Sequence, residues 1–515
     1  MANAEKIIER QLEEAEVFVG KDVLELLSSS MYVNPLAIFR EYVQNATDAI
    51  DDAVASGLLP STNDGRIDVS LDHIDRRVVV RDNGVGLSNA EFPSRMLSFG
   101  ASKKRGTNAR GFRGVGRLSA LGYVQQLVFR SRAQGDSKVI EAKWDGRAVK
   151  RLLAATDQES DLQSIVREAV SLTHLDPDEY PEHFFEVELI KPRRIANDRL
   201  LNEIEIENFI GQVCPCPFSP EFSLRDEVAN LLEGHGGAGR AYHICINGSE
   251  TPVYRPHRDQ LAFSDTKRSE FHNLRPFEIE GIEGETAAVG WLAHHDYQGA
   301  IPVAQGVRGL RARVGNIQIG HDRLFAEIFP EDRFSSWCVG EVHILDPRVV
   351  PNGRRDEFEN NAHLDNIIAH LRPIGAEVAR ECRVSSQKRN RIKSFELAAD
   401  KVYEKLEVLK QGAVSDRYAK TIKAETGTLL SEMHKAIEFD LFDEQERGAL
   451  RRQLRKIEKA VDTQSTKRGS DIFENLPKHK RAAYKEVVDL IYDCSVNQVA
   501  AKSLIDRIFN RLSRK

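Results

Sequence analysis

The spacing of apolar residues changes along the chain and predicts three kinds of element. Between residues 38 and 54 apolar side chains recur every three or four positions, which predicts a helix with one face in a core. β-Branched or alternating stretches predict strands at residues 66–73, 78–81, 124–132, 138–144 and 183–190. From about residue 384 the pattern is amphipathic and helical without strict heptads, which predicts a helical bundle or dimerisation module.

Polar stretches between these patterns predict the domain limits. A proline-containing polar stretch at 191–199 follows the last strand of the first block. We therefore predict three domains, at residues 1–195, 196–390 and 391–515. Within the first, residues 4–19 predict an amphipathic capping helix, and the acidic stretch 157–180 predicts a helix followed by a loop insertion.

Composition and charge narrow the class of protein. Of the 515 residues 41% are hydrophobic and 30% charged, and the mean hydropathy is −0.43, as in ordinary soluble proteins. The net charge of −6 argues against a dominant nucleic-acid surface. The six cysteines are scattered, which favours buried thiols over a metal site. No apolar run approaches ~18 residues and no secretory h-region is present, so we expect a cytoplasmic protein without a membrane span.

The helix at 38–54 carries a candidate catalytic pair. Glu41 and Asn45 lie four residues apart, so their side chains share one helix face. The carboxylate can orient a water molecule as a general base, and the carboxamide oxygen can ligate Mg²⁺. Such pairs are common on exposed helices, and the spacing alone is a weak signal.

Two glycine-containing turns follow this helix. Asp82, Gly84 and Gly86 come at the end of a short strand, where glycine lets the backbone approach a ligand and the carboxylate can accept from an exocyclic amine. Gly111, Gly114 and Gly116 precede a helical pattern, where free backbone N–H groups favour phosphate.

These three motifs, in this order, resemble the N, G1 and G2 boxes of the gyrase, histidine-kinase, MutL and chaperone ATPase (GHKL) superfamily. The similarity to the ninety-kilodalton heat-shock chaperones is close in FREYVQNATDAID, DNGVGLS and RGFRGVGRLSALGYV. The resemblance implies an α+β fold. Its first domain would be a Bergerat-fold α/β sandwich that binds ATP under a mobile lid. An α/β transducer domain like ribosomal S5 domain 2 and an α-helical C-terminal region would follow.

The resemblance also implies roles for individual residues, with ATP and Mg²⁺ as cofactors. Glu41 would be the water-activating base held by Arg40, Asn45 the Mg²⁺ ligand and Asp82 the acceptor of the adenine amine. The nucleotide would further be contacted by Asp48, Gly84, Gly86, Lys103, Gly111, Gly114, Val115 and Gly116. The lid would span residues 97–112. Relatives usually carry Gly-Thr where this chain has Phe184-Phe185, so the adenine contact would depend more heavily on Asp82.

A second-domain segment resembles the chaperone loop that reaches the γ-phosphate. Strand-like residues 339–345 lead through Pro351 and Asn352 to the pair Arg354 and Arg355. An always-charged planar guanidinium suits the oxygens of a phosphoryl transition state. We predict Arg355 narrowly over Arg354, with a surface arginine pair as the alternative.

Together these features predict an ATP-hydrolysing, chaperone-like switch that remodels a protein partner. A homodimer is expected, and neither the client nor the pathway follows from the sequence. The alternative is a MutL- or microrchidia-like clamp on DNA, which the net charge does not favour. A third option, a histidine kinase, is not expected, because no sensor or receiver region is recognisable and Glu41 is followed by a transducer-like region.

Overall fold

The chain divides into two units, Met1–Ala379 and Arg380–Lys515. The computed structural model describes residues 34–97, 116–154, 162–235, 238–466, 471–474 and 476–512. Among the described residues the first unit contains a seven-stranded sheet, a five-stranded sheet and a two-stranded ribbon with flanking helices, and the second unit is helical. The α+β class is therefore confirmed, whereas the limits near 195 and 390 stay predictions.

A seven-stranded sheet forms the first half of unit one. Its strands are β1 (Arg66–Asp72), β2 (Arg77–Asp82), β3 (Gln126–Arg132), β4 (Val139–Asp145), β5 (Val170–Leu175), β6 (Phe184–Ile190) and β7 (His243–Ile246). They lie in the order β5-β4-β3-β6-β2-β1-β7. All neighbours are antiparallel except β1 and β7, which are parallel.

Helices cover one face of this sheet. They are α1 (Ala37–Ala55), α2 (Phe92–Leu97), α3 (Gly146–Ala154), α4 (Leu162–Ala169) and α5 (Glu203–Val213). The helix predicted at 38–54 is confirmed as α1, and its apolar positions Ile38, Phe39, Val43 and Ile50 are fully buried. Burial of this stripe fixes the rotation of α1 about its axis, and with it the direction of its polar residues.

Strand alternation decides which side chains face the helices. In β2, Val78, Val80 and Asp82 are buried while the residues between them are more exposed, as the two-residue period of a strand requires. Asp82 therefore continues the buried row at the end of the strand. On the same strand Arg81 ion-pairs with Glu186 of β6.

Two segments differ from the sequence prediction. The prediction of a loop within 157–180 is wrong for Val170–Leu175, which forms the edge strand β5 and pairs with β4. The side chains of β5 are mostly exposed, so the sequence shows no apolar alternation there. Strand β7, which follows the predicted linker at 191–199, joins the same sheet beside β1. Sequence periodicity does not reveal such long-range pairing.

A second, mixed sheet forms the other half of unit one. The ribbon β8 (Gln260–Ala262) and β9 (Arg268–Glu270) follows helix α6 (Arg225–Glu233). The sheet has the order β10-β11-β14-β12-β13. Its strands are β10 (Asn273–Glu280), β11 (Thr286–His294), β12 (Gly309–Val314), β13 (Ile317–Ile319) and β14 (Val339–Ile344). Its likeness to ribosomal S5 domain 2 stays a prediction.

The second unit confirms the predicted helical C-terminal region. Its helices are the later part of α7 (Ala362–Gln411), then α8 (Asp416–Ile437), α9 (Glu444–Thr466), α10 (Lys478–Cys494) and α11 (Gln498–Leu512). One apolar cluster joins α7, α8 and α9. A second joins the end of α7 to α8, α10 and α11. No described helix is both long enough and apolar enough to cross a bilayer. Five cysteines are buried and Cys494 is exposed.

Candidate active site

Glu41 lies at the centre of a cluster of charges on α1. Its side chain is buried, and Arg40 Nε donates to Glu41 Oε1 at 3.3 Å. Arg355 Nε lies 3.3 Å from the same oxygen. The predicted base and the predicted arginine, 314 positions apart in the chain, therefore meet in an ion pair. Two guanidiniums offset the cost of burying this carboxylate.

The glycine turn approaches the other oxygen of Glu41. A Cβ added at Gly116 would collide with Glu41 Oε2, so a larger residue there would have to displace the Glu41 carboxylate. Tyr42 Oη donates to the carbonyl of Arg117 at 3.2 Å, which ties the turn to α1. Burial, with Arg95 adding to it, lowers the pKa of Arg117 to about 10. Positive charge is therefore concentrated beside the turn.

Four predicted residues of this turn and of the lid lie outside the described residues. They are Lys103, Gly111, Gly114 and Val115. The capping helix predicted at 4–19 also lies outside them.

The Asp82 turn is fixed against the middle of α1. Val85 N donates to the carbonyl of Ala49 at 3.2 Å, and a Cβ at Gly84 would collide with Ala49. Gly84 N donates to Asp82 Oδ1 at 2.9 Å. Burial raises the pKa of Asp82 to about 7, although this hydrogen bond lowers it. Asp82 is thus a buried acid that changes its charge near neutral pH.

The remaining predicted residues lie between these two points. Asn45 is half-buried and Asp48 is buried, one and two turns after Glu41 on the same helix face. Gly86 has φ +65°, and a Cβ there would collide with the carbonyl of Arg132. Among the described residues, no group of three His, Cys, Asp or Glu side chains is arranged to hold a metal ion.

The loop carrying Arg355 is held by its backbone. Arg355 has φ +57°, a conformation that is strained for a side chain of this size. Its N–H donates to the carbonyl of Asn352 at 3.2 Å, and its carbonyl accepts from Gly320 N at 2.9 Å. Arg40 Nη2 donates to the carbonyl of Arg354 at 3.0 Å, while the Arg354 side chain is exposed. Of the two arginines, Arg355 is the one brought to Glu41.

Known proteins are similar to the part of the chain that contains α1 and the two turns, but not the Arg355 loop. Residues 35–171 match the family described as histidine kinase-, DNA gyrase B- and HSP90-like ATPases. Residues 35–171 therefore resemble an HSP90-like ATPase domain, and we call them the ATPase domain below. The matched segment includes α1, the Asp82 turn and the glycine turn, so the resemblance seen in these motifs is confirmed.

Curated relatives of the ATPase domain are chaperones. The chain is 30% identical to the chaperone protein HtpG of an Enterobacter species over 142 residues, covering 24% of this chain and 23% of that protein. It is 27% identical to HtpG of Rickettsia typhi over 158 residues, covering 27% and 25%. The chain therefore spans about a quarter of the length of the curated relatives it matches.

Sequence reasoning missed a row of residues that supports the Arg355 loop. Gln318 Nε2 donates to the carbonyl of Gly320 at 3.1 Å, and Arg311 Nη1 donates to Gln318 Oε1 at 2.7 Å. Both side chains are buried. The available sequence signal was the alternation of polar with apolar residues in the stretch NIQI (316–319).

Gln44 is a second missed residue, next to Asn45 in the ATPase domain. Its side chain is 1% exposed, and neither Oε1 nor Nε2 has a hydrogen-bond partner among the described residues. A buried amide without partners lowers stability. Nothing in the sequence pattern distinguished it from an ordinary polar helix residue.

Strand pairing locates Phe184-Phe185, the two residues that stand where relatives usually carry Gly-Thr. Phe185 lies opposite Asp82 in the β2–β6 ladder and is half-buried. Apolar surface therefore flanks the carboxylate of Asp82 in the ATPase domain. The stronger dependence of the adenine contact on Asp82 stays a prediction.

Proposed function

We propose that the protein is an ATP-hydrolysing, chaperone-like switch in which Arg355 completes the site of the ATPase domain. The observation that carries the proposal is the ion pair between Glu41 and Arg355. Glu41 lies on α1, whereas Arg355 follows the last strand of the second sheet. A catalytic group supplied from this distance along the chain makes hydrolysis depend on how the two parts of unit one are arranged.

Each end of the site has a distinct task. Glu41 orients the attacking water and accepts its proton. The Arg355 guanidinium stabilises the charge of the transferring phosphoryl group, and Arg40 keeps Glu41 in place. The backbone N–H groups beside Gly116 and the positive charge near Arg117 hold the phosphates. In its ionised form Asp82 accepts a hydrogen bond from the adenine amine.

The residues present also fit Mg²⁺. This ion takes few protein ligands and fills its octahedron with water and phosphate oxygens, so the single carboxamide oxygen of Asn45 is a sufficient donor. When bound, the ion neutralises phosphate charge. Asp48, one turn beyond Asn45, adds negative charge on the same side of α1.

The action on a partner is inferred from the relatives. Proteins named chaperone protein HtpG match the ATPase domain, which supports a protein client. A homodimer and a cytoplasmic location belong to the same proposal. The helices of unit two are our candidates for the dimer or partner contact, because the nucleotide motifs all lie before them.

The test compares single substitutions in the full-length chain. Glu41→Ala should retain ATP binding and slow hydrolysis by about 10²-fold or more, as expected on removal of a general base. Arg355→Ala should leave ADP affinity unchanged and lower kcat by up to about 10³-fold. Calorimetry gives the affinities and steady-state phosphate release gives the rate.

Arg354→Ala is the matched control. It removes an exposed guanidinium one residue away but retains the carbonyl that accepts from Arg40. Turnover at the wild-type rate in both the Glu41 and Arg355 variants would show that neither residue is catalytic, and the proposed switch would then be wrong.

A further inference from the structure

The overall negative charge of the chain conceals a strong difference between its two units. Residues 1–379 contain 43 Lys and Arg against 58 Asp and Glu, a net charge of −15. Residues 380–515 contain 30 against 21, a net charge of +9. Charge asymmetry between parts of a chain is typical of proteins with a polyanionic partner. The argument from a net −6 therefore does not apply to unit two.

Helix α9 presents part of this charge on a fixed face. Its residues Leu450, Leu454 and Ile457 are buried in the cluster shared with α7 and α8. Because these positions lie on one side of the helix, its opposite side points away from the bundle. The rotation of α9 is thus set by packing and not by its charges.

Four cations occupy this outward side, and we call them the basic stripe: Arg452, Arg455, Lys456 and Lys459. All four are exposed. Among the described residues none of them has an ion-pair or side-chain hydrogen-bond partner. Three acids of the helix have other partners: Glu458 pairs with His434 of α8, Glu446 with Lys388 of α7 and Glu444 with Arg447.

Such an arrangement is unfavourable for the helix alone. Four pairs in the basic stripe are three or four positions apart, and each like-charge pair at this spacing destabilises a helix by roughly 0.2–0.5 kcal/mol. The four residues extend over about 10 Å of helix. An anion bound along this face removes the repulsion.

We propose that the basic stripe binds the phosphate backbone of a nucleic acid without sequence preference. Lysine and arginine contacts to phosphate supply affinity, whereas base edges are read by other groups, which the stripe lacks. A membrane is the weaker partner, because the apolar side of α9 is buried in the bundle and its exposed side offers no large apolar residue for insertion. This binding function goes beyond the nucleotide switch.

The experiment measures binding of the full-length protein to fluorescent 30-base-pair DNA duplexes of two unrelated sequences, without nucleotide. We expect equal affinity for both and a steep salt dependence. The test variant replaces all four stripe residues by glutamine. Because this variant neutralises four fewer phosphates, the slope of log K against log salt should become shallower by about 3.6. Affinity at 50 mM salt should fall by about 100-fold or more.

A matched control removes the same charge from α8. Arg417, Lys420, Lys423 and Lys435 are also exposed, but α8 intersperses them with Asp416, Glu425 and Glu432. The quadruple glutamine variant of α8 should bind DNA within about threefold of wild type. Helical circular dichroism verifies the fold of both variants. The pair Arg455→Gln with Lys459→Gln, expected to give half the slope change, replaces the stripe variant if that variant does not fold.

Three results would overturn the proposal. The first is that the stripe variant and wild type have the same DNA affinity and the same salt slope. The second is that the α8 control loses as much DNA binding as the stripe variant. The third is binding to vesicles rich in phosphatidylserine, lost in the stripe variant, without binding to duplex or single-stranded DNA.

Discussion

Two buried carboxylates in unit one differ in how their charge is compensated. Glu341 of β14 accepts from Arg255 Nη1 and Arg313 Nε, each at 2.6 Å. Burial would raise the pKa of Glu341, but the two arginines outweigh it and hold the pKa well below its usual range. Asp82 has no such cation among the described residues, and burial raises its pKa to about 7. Glu341 is thus neutralised within the protein and Asp82 is not, as we expect if Glu341 has a structural role and Asp82 has the ligand-binding role proposed above.

Among the substitutions that test this comparison, Glu341→Ala should have the largest effect, a loss of stability. Removal of the carboxylate leaves Arg255 and Arg313 buried without a counter-charge, which costs about 3–5 kcal/mol of unfolding free energy. Denaturant unfolding followed by circular dichroism measures this loss. In any variant that remains folded, nucleotide affinity should be unchanged because Glu341 is not part of the site.

The control for this prediction is Glu341→Gln. The amide keeps the shape and an accepting oxygen but not the charge, so it should be less stable than wild type and more stable than the alanine variant. If all three proteins unfold at the same denaturant concentration, Glu341 does not stabilise the second sheet.

Asp82→Asn should separate stability from binding. The amide presents a donor or a misdirected dipole to the adenine amine, so nucleotide affinity should fall by about 10- to 100-fold, or roughly 1.5–3 kcal/mol. Yet the folded protein should become more stable at pH 8, because it no longer buries an ionised carboxylate. Calorimetry with ATP and thermal unfolding give the two values. Wild-type affinity in this variant would remove Asp82 from the site.

The pH dependence follows from the direction of the pKa shift. The pKa of Asp82 in the folded protein, about 7, lies above the reference value of 3.8, so the folded state binds more protons between these values. The contribution of Asp82 to the unfolding free energy therefore falls as pH rises from about 4 to 7, by about 1.4 kcal/mol per pH unit. The difference in unfolding free energy between Asp82→Asn and wild type should grow over that pH range. A difference that stays constant would contradict the raised pKa of Asp82.

Gln318→Leu should have the smallest effect and tests the support of Arg355. The leucine loses the hydrogen bond to the carbonyl of Gly320 and the one from Arg311, while Arg355 itself is retained. We expect kcat to fall by about two- to tenfold, with KM and ADP affinity unchanged. Gln318→Glu keeps an acceptor for Arg311 but cannot donate to Gly320, and should lower kcat as well. Full activity in both variants would show that the loop is held without Gln318.

The local pattern of apolar and polar residues was enough to predict a helix or strand where burial has a regular period. The apolar stripe of α1 and the β-branched run of β2 predicted both elements, and residue spacing put Glu41 and Asn45 on one face of α1 and Asp82 at the end of β2. It failed for β5, whose exposed residues carry no alternation. It also gave no sign that β7, from beyond the predicted linker, pairs with β1.

By itself the sequence determined the kinds of element, the order of the motifs and the candidate chemistry of Glu41, Asn45 and Asp82, because these depend on residue type and near-neighbour spacing. Only the tertiary structure decided that Arg355 contacts Glu41, that Glu341 is neutralised while Asp82 is not, and that α9 turns four cations outward. Those outcomes depend on which distant segments pack together. Local periodicity carries no information about such packing, since it records only which side of each element is buried.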